Sequence, residues 1–315
     1  MPDPMVSAVI PAYNGERFLR QAIDSALAQT YPNFEVIVID DGSTDSTPEI
    51  LSQYGRNIRV LRQENAGQAA ARNLGISRSA GQWIAFLDQD DLWDPCKIET
   101  QLSMAQDADA LICSDARVID GAGAVLRARM APEKAPPSPT LRDLIGSNTV
   151  IAVTVLVRRD VVEAVGGFDS LNRLGTEDFQ LWLRLAARGC KFRFLKQVLA
   201  SYRWHGDNIS SNRARTATGV IYALNRTRQE YPAAFGRPER WACRHAPGQL
   251  EFDRAWHLYI RGNYGEAARS FWRSVELWPF SVKSWLYAIA TSLPMRRILL
   301  PKVRGLLKAV TREHD

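Results

Sequence analysis

Two short apolar runs in the first third of the chain end in clusters of carboxylates, and this pairing limits the possible folds more than any other feature. Phe34 to Ile39, rich in β-branched residues, runs into Asp40-Asp41-Gly42, and Trp83 to Leu87 runs into Asp88-Gln89-Asp90-Asp91. Around them strand and helix patterns alternate. A first strand, Val6 to Pro11, precedes Phe18, Ala22, Ile23, Ala26 and Leu27 at helical spacing; Thr47 reads as an N-cap with Pro48 at the first helical position. A strand at Ile58 to Leu61 and a helix from Gln68 to Ser77 complete the series. Such alternation builds βα units around a mostly parallel sheet, a doubly wound α/β beginning. Ligands of open α/β sheets sit outside the carboxyl ends of the strands. Asp40, Asp41, Asp88, Asp90 and Asp91 are thereby expected to face one crevice.

Carboxylates packed that closely repel, at about 4 kcal/mol for a pair about 4 Å apart when the effective dielectric is near 20. Either each cluster is a set of turn or cap residues, or a cation sits among them. Their joint placement favours the cation, and oxygen donors favour Mg2+ or Mn2+, which take one or two carboxylates and fill the remaining positions with water and phosphate. The chain has no Gly-x-x-x-x-Gly-Lys-Ser/Thr loop and no Gly-x-Gly-x-x-Gly after its first strand. A P-loop NTPase and a standard dinucleotide fold therefore both lack their phosphate cradle, and a metal-diphosphate site is the expectation.

Five motifs in order then carry a resemblance: Val9-Ile10-Pro11-Ala12-Tyr13-Asn14; Val38 to Asp45 with its Asp40-Asp41-Gly42-Ser43; Asn65-Ala66-Gly67 with Ala71-Arg72-Asn73-x-Gly75; Phe86-Leu87-Asp88-Gln89-Asp90-Asp91; and Gly175-Thr176-Glu177-Asp178 with Leu181-Trp182-Leu183-Arg184. Over residues 5 to 215 the chain resembles a family 2 glycosyltransferase of GT-A fold, a Rossmann-like nucleotide-binding sheet flanked by helices. The resemblance implies inverting transfer of a sugar from a nucleoside-diphosphate sugar, by family tendency a UDP-sugar, to a hydroxyl acceptor. Carried over by position, Pro11, Ala12 and Tyr13 edge the nucleotide pocket. Asp41, with Asp40 beside it, binds the base, and Arg72 lies near the diphosphate or ribose. Asp88, Asp90 and Asp91 are the metal and ribose contacts in either of two registers. His205 is a further metal ligand, against the alternative of a surface histidine. Asp178 is the catalytic base and Glu177 a second candidate, against the alternative of an acidic pair at a helix start. The family's processive synthases carry a Gln-x-x-Arg-Trp motif and membrane spans; neither occurs in this sequence, which implies one sugar per encounter.

The remaining chain is less regular. A helix from Lys97 to Gln106, a strand at Leu111 to Ser114, a surface loop or lid at Met130 to Pro139 with four prolines, a long strand at Val150 to Val157, a short helix at Val161 to Val165 and an amphipathic helix from Phe179 to Ala187 are expected. From Gln249 the pattern is helical, and Gly262, Tyr264, Ala267, Phe271, Leu277 and Pro279 match the second half of a single tetratricopeptide-like hairpin. The domains read as 1–235, the transferase, and 236–315, a C-terminal helical extension.

Charge sharpens that division. Residues 1–240 hold 28 Lys+Arg against 28 Asp+Glu, whereas 241–315 hold 12 against 6. A neutral body with a cationic end is not a nucleic-acid-binding core. Trp285, Leu286, Ile289, Leu293, Ile298, Leu299, Leu306 and Leu307 interleave with Lys283, Arg296, Arg297, Lys302, Arg304 and Lys308, broken by Pro294 and Pro301. That composition suits either an anionic inner-leaflet membrane surface or a packed subdomain with solvated arginines. Cys96, Cys113, Cys190 and Cys243 have no metal or disulfide spacing, and no signal segment or membrane span is visible, so a cytoplasmic, peripheral location is expected. The expected role is surface-polysaccharide or glycolipid assembly on a glycan or lipid-linked acceptor. The alternatives are nucleotidyl transfer, which would need a Gly-rich loop where Pro11 to Asn14 stand, and a nucleotide-binding scaffold with a vestigial transferase domain.

Overall fold

The computed structural model describes residues 3–206, 208, 213–260 and 262–292. Strands β1 (Val6–Ala12), β2 (Phe34–Asp40), β3 (Arg59–Arg62) and β4 (Trp83–Phe86) alternate with helices α1 (Leu19–Leu27), α2 (Thr47–Ser52) and α3 (Gln68–Arg78). The four strands are parallel, in the order β3-β2-β1-β4. The chain thus steps outward from β1 to β3 and returns on the other side of β1. This reversal places a topological switch point at the carboxyl ends of β1 and β4, where such sheets open a crevice.

Both faces of this half-sheet are covered, and successive residues alternate between two cores as the pleat requires. Val9, Ile37, Ile39 and Phe86 pack with Ala71, Ile76 and Trp182, while Ala8, Ile10, Val36 and Val38 pack with Leu19, Ala22 and Ile23. Gly75 lets α3 lie against the sheet: an added Cβ would stand 2.4 Å from Val9 and 2.8 Å from Ile39.

Beyond β4 the sheet is mixed, not parallel. It continues through β5 (Leu92–Trp93), α4 (Lys97–Ser103), β6 (Asp109–Ile119), β7 (Val125–Arg127), α5 (Leu141–Gly146), β8 (Leu156–Arg158), α6 (Arg159–Ala164), α7 (Glu177–Ala187) and β9 (Lys191–Arg203). Strand β8 runs antiparallel between β4 and β6, β9 pairs parallel with β6, and β5 closes the far edge antiparallel to β9. The result is a curled α/β sheet flanked by helices.

Several local expectations change. Ser46, not Thr47, precedes α2, because the Thr47 hydroxyl accepts from the Gly15 N–H at 2.8 Å. The apolar run at 150–157 is not one strand. A 3-10 turn at Ala152–Thr154, in which the Val155 N–H donates to the Ala152 carbonyl, interrupts it before β8. The proline-rich loop is no lid: the Ser138 hydroxyl donates to the Phe192 carbonyl, and the Phe194 N–H donates to the Pro137 carbonyl, both at 2.8 Å, strapping the loop to β9.

Helices α8 (Arg213–Glu230), α9 (Arg237–Ile260), α10 (Tyr264–Leu277) and α11 (Val282–Ser292) follow. The helical region starts well before Gln249, and α9 runs through Pro247. Near its start α9 buries Ala242 in the core of the body, and near its end Phe252 and Ala255 join Phe271, Val275 and Tyr287 in a separate core. The hairpin motif falls on the turn at Gly262 and on α10, with Pro279 just beyond it; α9 is the other arm, and α11 packs against α10. Residues 293–315, which hold most of the basic interleaved segment, lie outside the described residues. Among the described residues no helix is long and apolar enough to cross a membrane.

Candidate active site

A cleft of about 740 Å3 opens at the switch point. It is lined by Pro11, Ala12 and Tyr13 at the end of β1, Asp41 after β2, Gly67, Gln68 and Arg72 at the start of α3, and Asp88 to Asp91 after β4. Ile151 to Val153, Glu177 and Asp178 at the start of α7, and His205 and Asn208 complete it.

The wall after β1 is fixed by hydrogen bonds to the turn after β2. Asn14 adopts a left-handed φ of 48°, its N–H donates to the Ser43 hydroxyl at 3.0 Å, and its side-chain oxygen accepts from the Thr44 N–H at 2.8 Å. Asp41 holds the next loop: its carboxylate accepts from the Gln63 side chain at 2.6 Å and from the N–H groups of Ala66 and Gly67 at 2.9 Å. A carboxylate offers about four acceptor positions, so one remains for a ligand N–H. Asp40 is oriented differently. It is buried, accepts from the Ser43 N–H at 2.9 Å, faces Arg62 at 3.4 Å, and does not line the cleft.

Arg72 joins the two acidic motifs. Its guanidinium is 2% exposed and donates to Asp88 at 2.6 Å and to Glu177 at 3.0 Å, residues 105 positions apart in the second pair. The next residue, Asn73, exchanges a reciprocal pair of 2.8 Å bonds with the backbone of Phe168, which orients the Gly166–Gly167 turn ahead of α7. Asp178, the second residue of α7, therefore reaches the cleft on a rigid element. Burial, with Glu177 beside it, pushes its carboxyl up to about 7, despite Arg72 and the Phe179 N–H favouring the charged form.

The acidic turn after β4 is divided. Asp88 accepts from Arg72 and from the Gln68 amide at 2.9 Å. Asp91 Oδ1 accepts from the Arg203 N–H at 2.7 Å, while its Oδ2 is buried with no partner. Burial and the neighbouring Asp90 and Asp88 push the Asp91 carboxyl well above the usual carboxylate range. Burial and Asp88 also raise Asp90, offset in part by His205. Asp90 Oδ2 and His205 Nε2 lie 2.8 Å apart. The two are joined by a hydrogen bond, and a carboxylate oxygen and a neutral imidazole nitrogen are both donor types that a divalent cation can take. Excess negative charge and an unpartnered carboxylate oxygen fit such an ion as well. Among the described residues, however, no three His, Cys, Asp or Glu side chains are gathered into a ready-made metal cage. Asp88 and Asp91 each commit Oδ1 to the protein, to Arg72 with Gln68 and to the backbone of β9, and Asp91 keeps its Oδ2 unpartnered.

Comparison with known proteins identifies the lineage. The family model for glycosyl transferase family 2 matches residues 7–166. The chain belongs to glycosyl transferase family 2. It is 33% identical over 228 residues to the putative teichuronic acid biosynthesis glycosyltransferase TuaG of Bacillus subtilis, covering 70% of this chain and 87% of that one. It is 30% identical to WfaP of Escherichia coli, a UDP-Glc:alpha-D-GlcNAc-diphosphoundecaprenol beta-1,3-glucosyltransferase, covering 66% of this chain and 81% of that one. A glycosyltransferase of Rickettsia felis is 34% identical over 65% of this chain, but the match spans only 35% of that relative. Among solved structures, the mannosyltransferase PcManGT from Pyrobaculum calidifontis, in complex with GDP-Man and Mn2+, superposes with a TM-score of 0.60 at 18% identity, covering 98% of this chain and 86% of that one. The fold is that of the GT-A transferases.

For this family 2 chain the structure adds residues that sequence reasoning passed over. Gln89, the variable position of the acidic motif, clamps β1: its side chain accepts from the Tyr13 N–H at 2.8 Å and donates to the Tyr13 carbonyl at 3.2 Å. Gln68 holds Asp88. Arg203, 1% exposed, donates from its backbone to Asp91 and from Nε to the Asp90 carbonyl at 2.7 Å. Their position inside or beside the motifs was the only available signal, since none of them needs to titrate.

Proposed function

We propose that the chain is an inverting, non-processive glycosyltransferase that moves a sugar from a nucleoside-diphosphate sugar, with UDP-sugars foremost, to a hydroxyl of a glycan or lipid-linked acceptor in surface-polysaccharide or glycolipid assembly. One observation carries the reading: a carboxyl raised to about 7, Asp178, lines the same cleft as the β1 edge, Asp41 and Asp88. Such a group is matched to accept a proton near neutral pH. The activity for which WfaP is named supports UDP as the donor nucleotide and a diphosphate-lipid acceptor, and the ligands of PcManGT leave GDP as its rival.

In this reading Pro11, Ala12 and Tyr13 edge the base, and the free acceptor position of Asp41 takes the ring N–H of uracil. Asp40 acts behind them by fixing the turn. Arg72 lies toward the diphosphate and bridges Asp88 and Glu177. Asp90 and His205 would hold a divalent cation, Mn2+ or Mg2+, whose charge offsets that gathering on the leaving diphosphate. The acceptor oxygen attacks the anomeric carbon, its proton passes to Asp178, and the bond from that carbon to the diphosphate oxygen breaks, inverting the configuration. Residues 1–235 form the transferase domain and 236–315 its helical extension, on the cytoplasmic side of the membrane.

The test is turnover of radiolabelled UDP-, GDP- and dTDP-sugars with a diphosphate-lipid acceptor extract, by the wild type and by Asp178→Asn. Transfer from a UDP-sugar that the variant loses supports the reading. Transfer by both proteins alike removes Asp178 from its role, and binding without turnover of any donor favours a scaffold.

A further inference from the structure

Helix α11 is amphipathic in the unusual sense. Its inward face is made of Ser284, Tyr287, Ala288, Ala290 and Thr291, whereas Val282, Trp285, Leu286 and Ile289 are exposed. Those four stand at i, i+3, i+4 and i+7, one continuous stripe. Phe280, 78% exposed, precedes it, and Trp272 of α10, itself exposed, lies edge-on to Trp285 with ring centroids 5.7 Å apart. The polar atoms of the stripe are already provided for: the Trp285 indole N–H donates to the Pro279 carbonyl and that of Trp272 to the Ser292 hydroxyl, both at 2.8 Å. What faces outward is therefore apolar surface with no unmet hydrogen bond, on a helix whose hidden side is small and partly polar.

Charge identifies the occupant. From Val282 to Arg312 the sequence carries seven Lys and Arg and no Asp or Glu. A stretch of sequence with this charge is attracted to an anionic partner and repelled by a second copy of itself. Six side chains are also well short of the 20–30 residues that each partner of a stable protein interface usually contributes, about 800 Å2 a side. A bilayer requires no shape complementarity. It takes Trp, Leu and Ile into the acyl boundary and sets neighbouring Lys and Arg against anionic headgroups, each cation contributing about 1 kcal/mol near the surface.

We propose that the outward face of α11, with Phe280 and Trp272, is a membrane-docking surface specific for anionic lipid. It seats the C-terminal helices on the headgroup layer by apolar insertion and electrostatic attraction. The proposal stands on α11 and on the charge of the sequence around it, and it holds whatever sugar, acceptor or catalytic base the cleft uses.

The experiment is co-sedimentation of the full chain with phosphatidylcholine vesicles with and without phosphatidylglycerol, at low and high salt, alongside sedimentation velocity without lipid. The wild type is expected to bind the phosphatidylglycerol vesicles, to release with added salt, and to leave pure phosphatidylcholine largely unbound. The exposed-face variant Leu286→Ser/Ile289→Ser is expected to keep its circular dichroism spectrum and nucleotide binding while binding vesicles at least about tenfold more weakly, given the apolar area withdrawn. A second variant, Arg296→Gln/Arg297→Gln, is expected to lose much of the lipid selectivity and the salt response; Lys283 is left in place because its ammonium stands 4.3 Å over the buried Phe252 ring. Equal binding by wild type and Leu286→Ser/Ile289→Ser, or no binding to either vesicle, overturns the proposal. A dimer in solution that the same variant dissociates also overturns it, in favour of a second copy on this face.

Discussion

The acidic groups in and behind the cleft fall into two regions that handle their charge in opposite ways. After β2, Asp41 is met by two backbone N–H groups and an amide, and Asp40 by an N–H and Arg62. After β4 and at the start of α7, Asp90, Asp91 and Asp178 are all raised by burial and by neighbouring carboxylates, Asp88 among them in each case, and Asp91 keeps an oxygen with no partner. A satisfied carboxylate is a fixed acceptor, suited to recognising a ligand N–H. A carboxylate held in excess of its partners is suited to taking up a proton or a cation. In the proposed reading the β2 side recognises the donor and the β4 and α7 side carries the chemistry, and Arg72 is the cation paired with Asp88 and Glu177 on that second side.

Predictions that would break this contrast run from large to small. Asp178→Asn keeps the shape and removes the proton acceptor, and is expected to lower kcat at least about a hundredfold with donor affinity little changed; single-turnover transfer assays measure it. Arg72→Met leaves Asp88 and Glu177 uncompensated and is expected to cost about 3–5 kcal/mol of stability in urea unfolding, whereas a loss under about 1 kcal/mol would mean that the pair is not held together by Arg72. Asp41→Asn belongs to the recognising side and is expected to raise KM for the donor about tenfold while kcat stays within about twofold. A matching fall in kcat would erase the distinction between the two regions.

The smallest effect concerns stability and pH. Asp178 has its folded pKa raised above the unfolded value, so ionising it costs stability. That cost is absent below about pH 4, grows as pH rises, and is complete above about 7. Asp178→Asn is therefore expected to melt higher than the wild type at pH 8, by about 2–4 °C for each kcal/mol recovered, with the gap closing toward pH 4. Differential scanning calorimetry across that range checks the sign.

Much of the recognising side was legible in the sequence, because strand periodicity and the turn residues at Asp40-Asp41-Gly42 are local signals. The parallel strands β1 to β4 and the helix at α3 fall close to where the pattern puts them. The other side was harder to read, since it is assembled across long separations. Nothing local says that Arg72 pairs with Glu177, or that Arg203 holds Asp91 by its backbone. The apolar run at 150–157 carries no period that separates a strand from a 3-10 turn followed by a short strand, and the turn is where Ile151 to Val153 line the cleft. Thr47 looked like a cap because its hydroxyl suits one; a residue 32 positions earlier, Gly15, takes that hydroxyl instead. The outward stripe of α11 was visible as apolar residues among basic ones, but only the packing of Tyr287 and Ala288 inward shows which face is left exposed.

The central claim is that Asp178 receives the acceptor's proton, and the pH dependence of kcat/KM tests it most directly, since that parameter reports groups of the free enzyme. With transfer followed from pH 5 to about 9, the account predicts a limb rising tenfold per pH unit that levels off with a midpoint near the value of about 7 held by Asp178. The limb should be absent from the residual activity of Asp178→Asn. A profile flat across neutrality in the wild type, or the same limb in the variant, would contradict it.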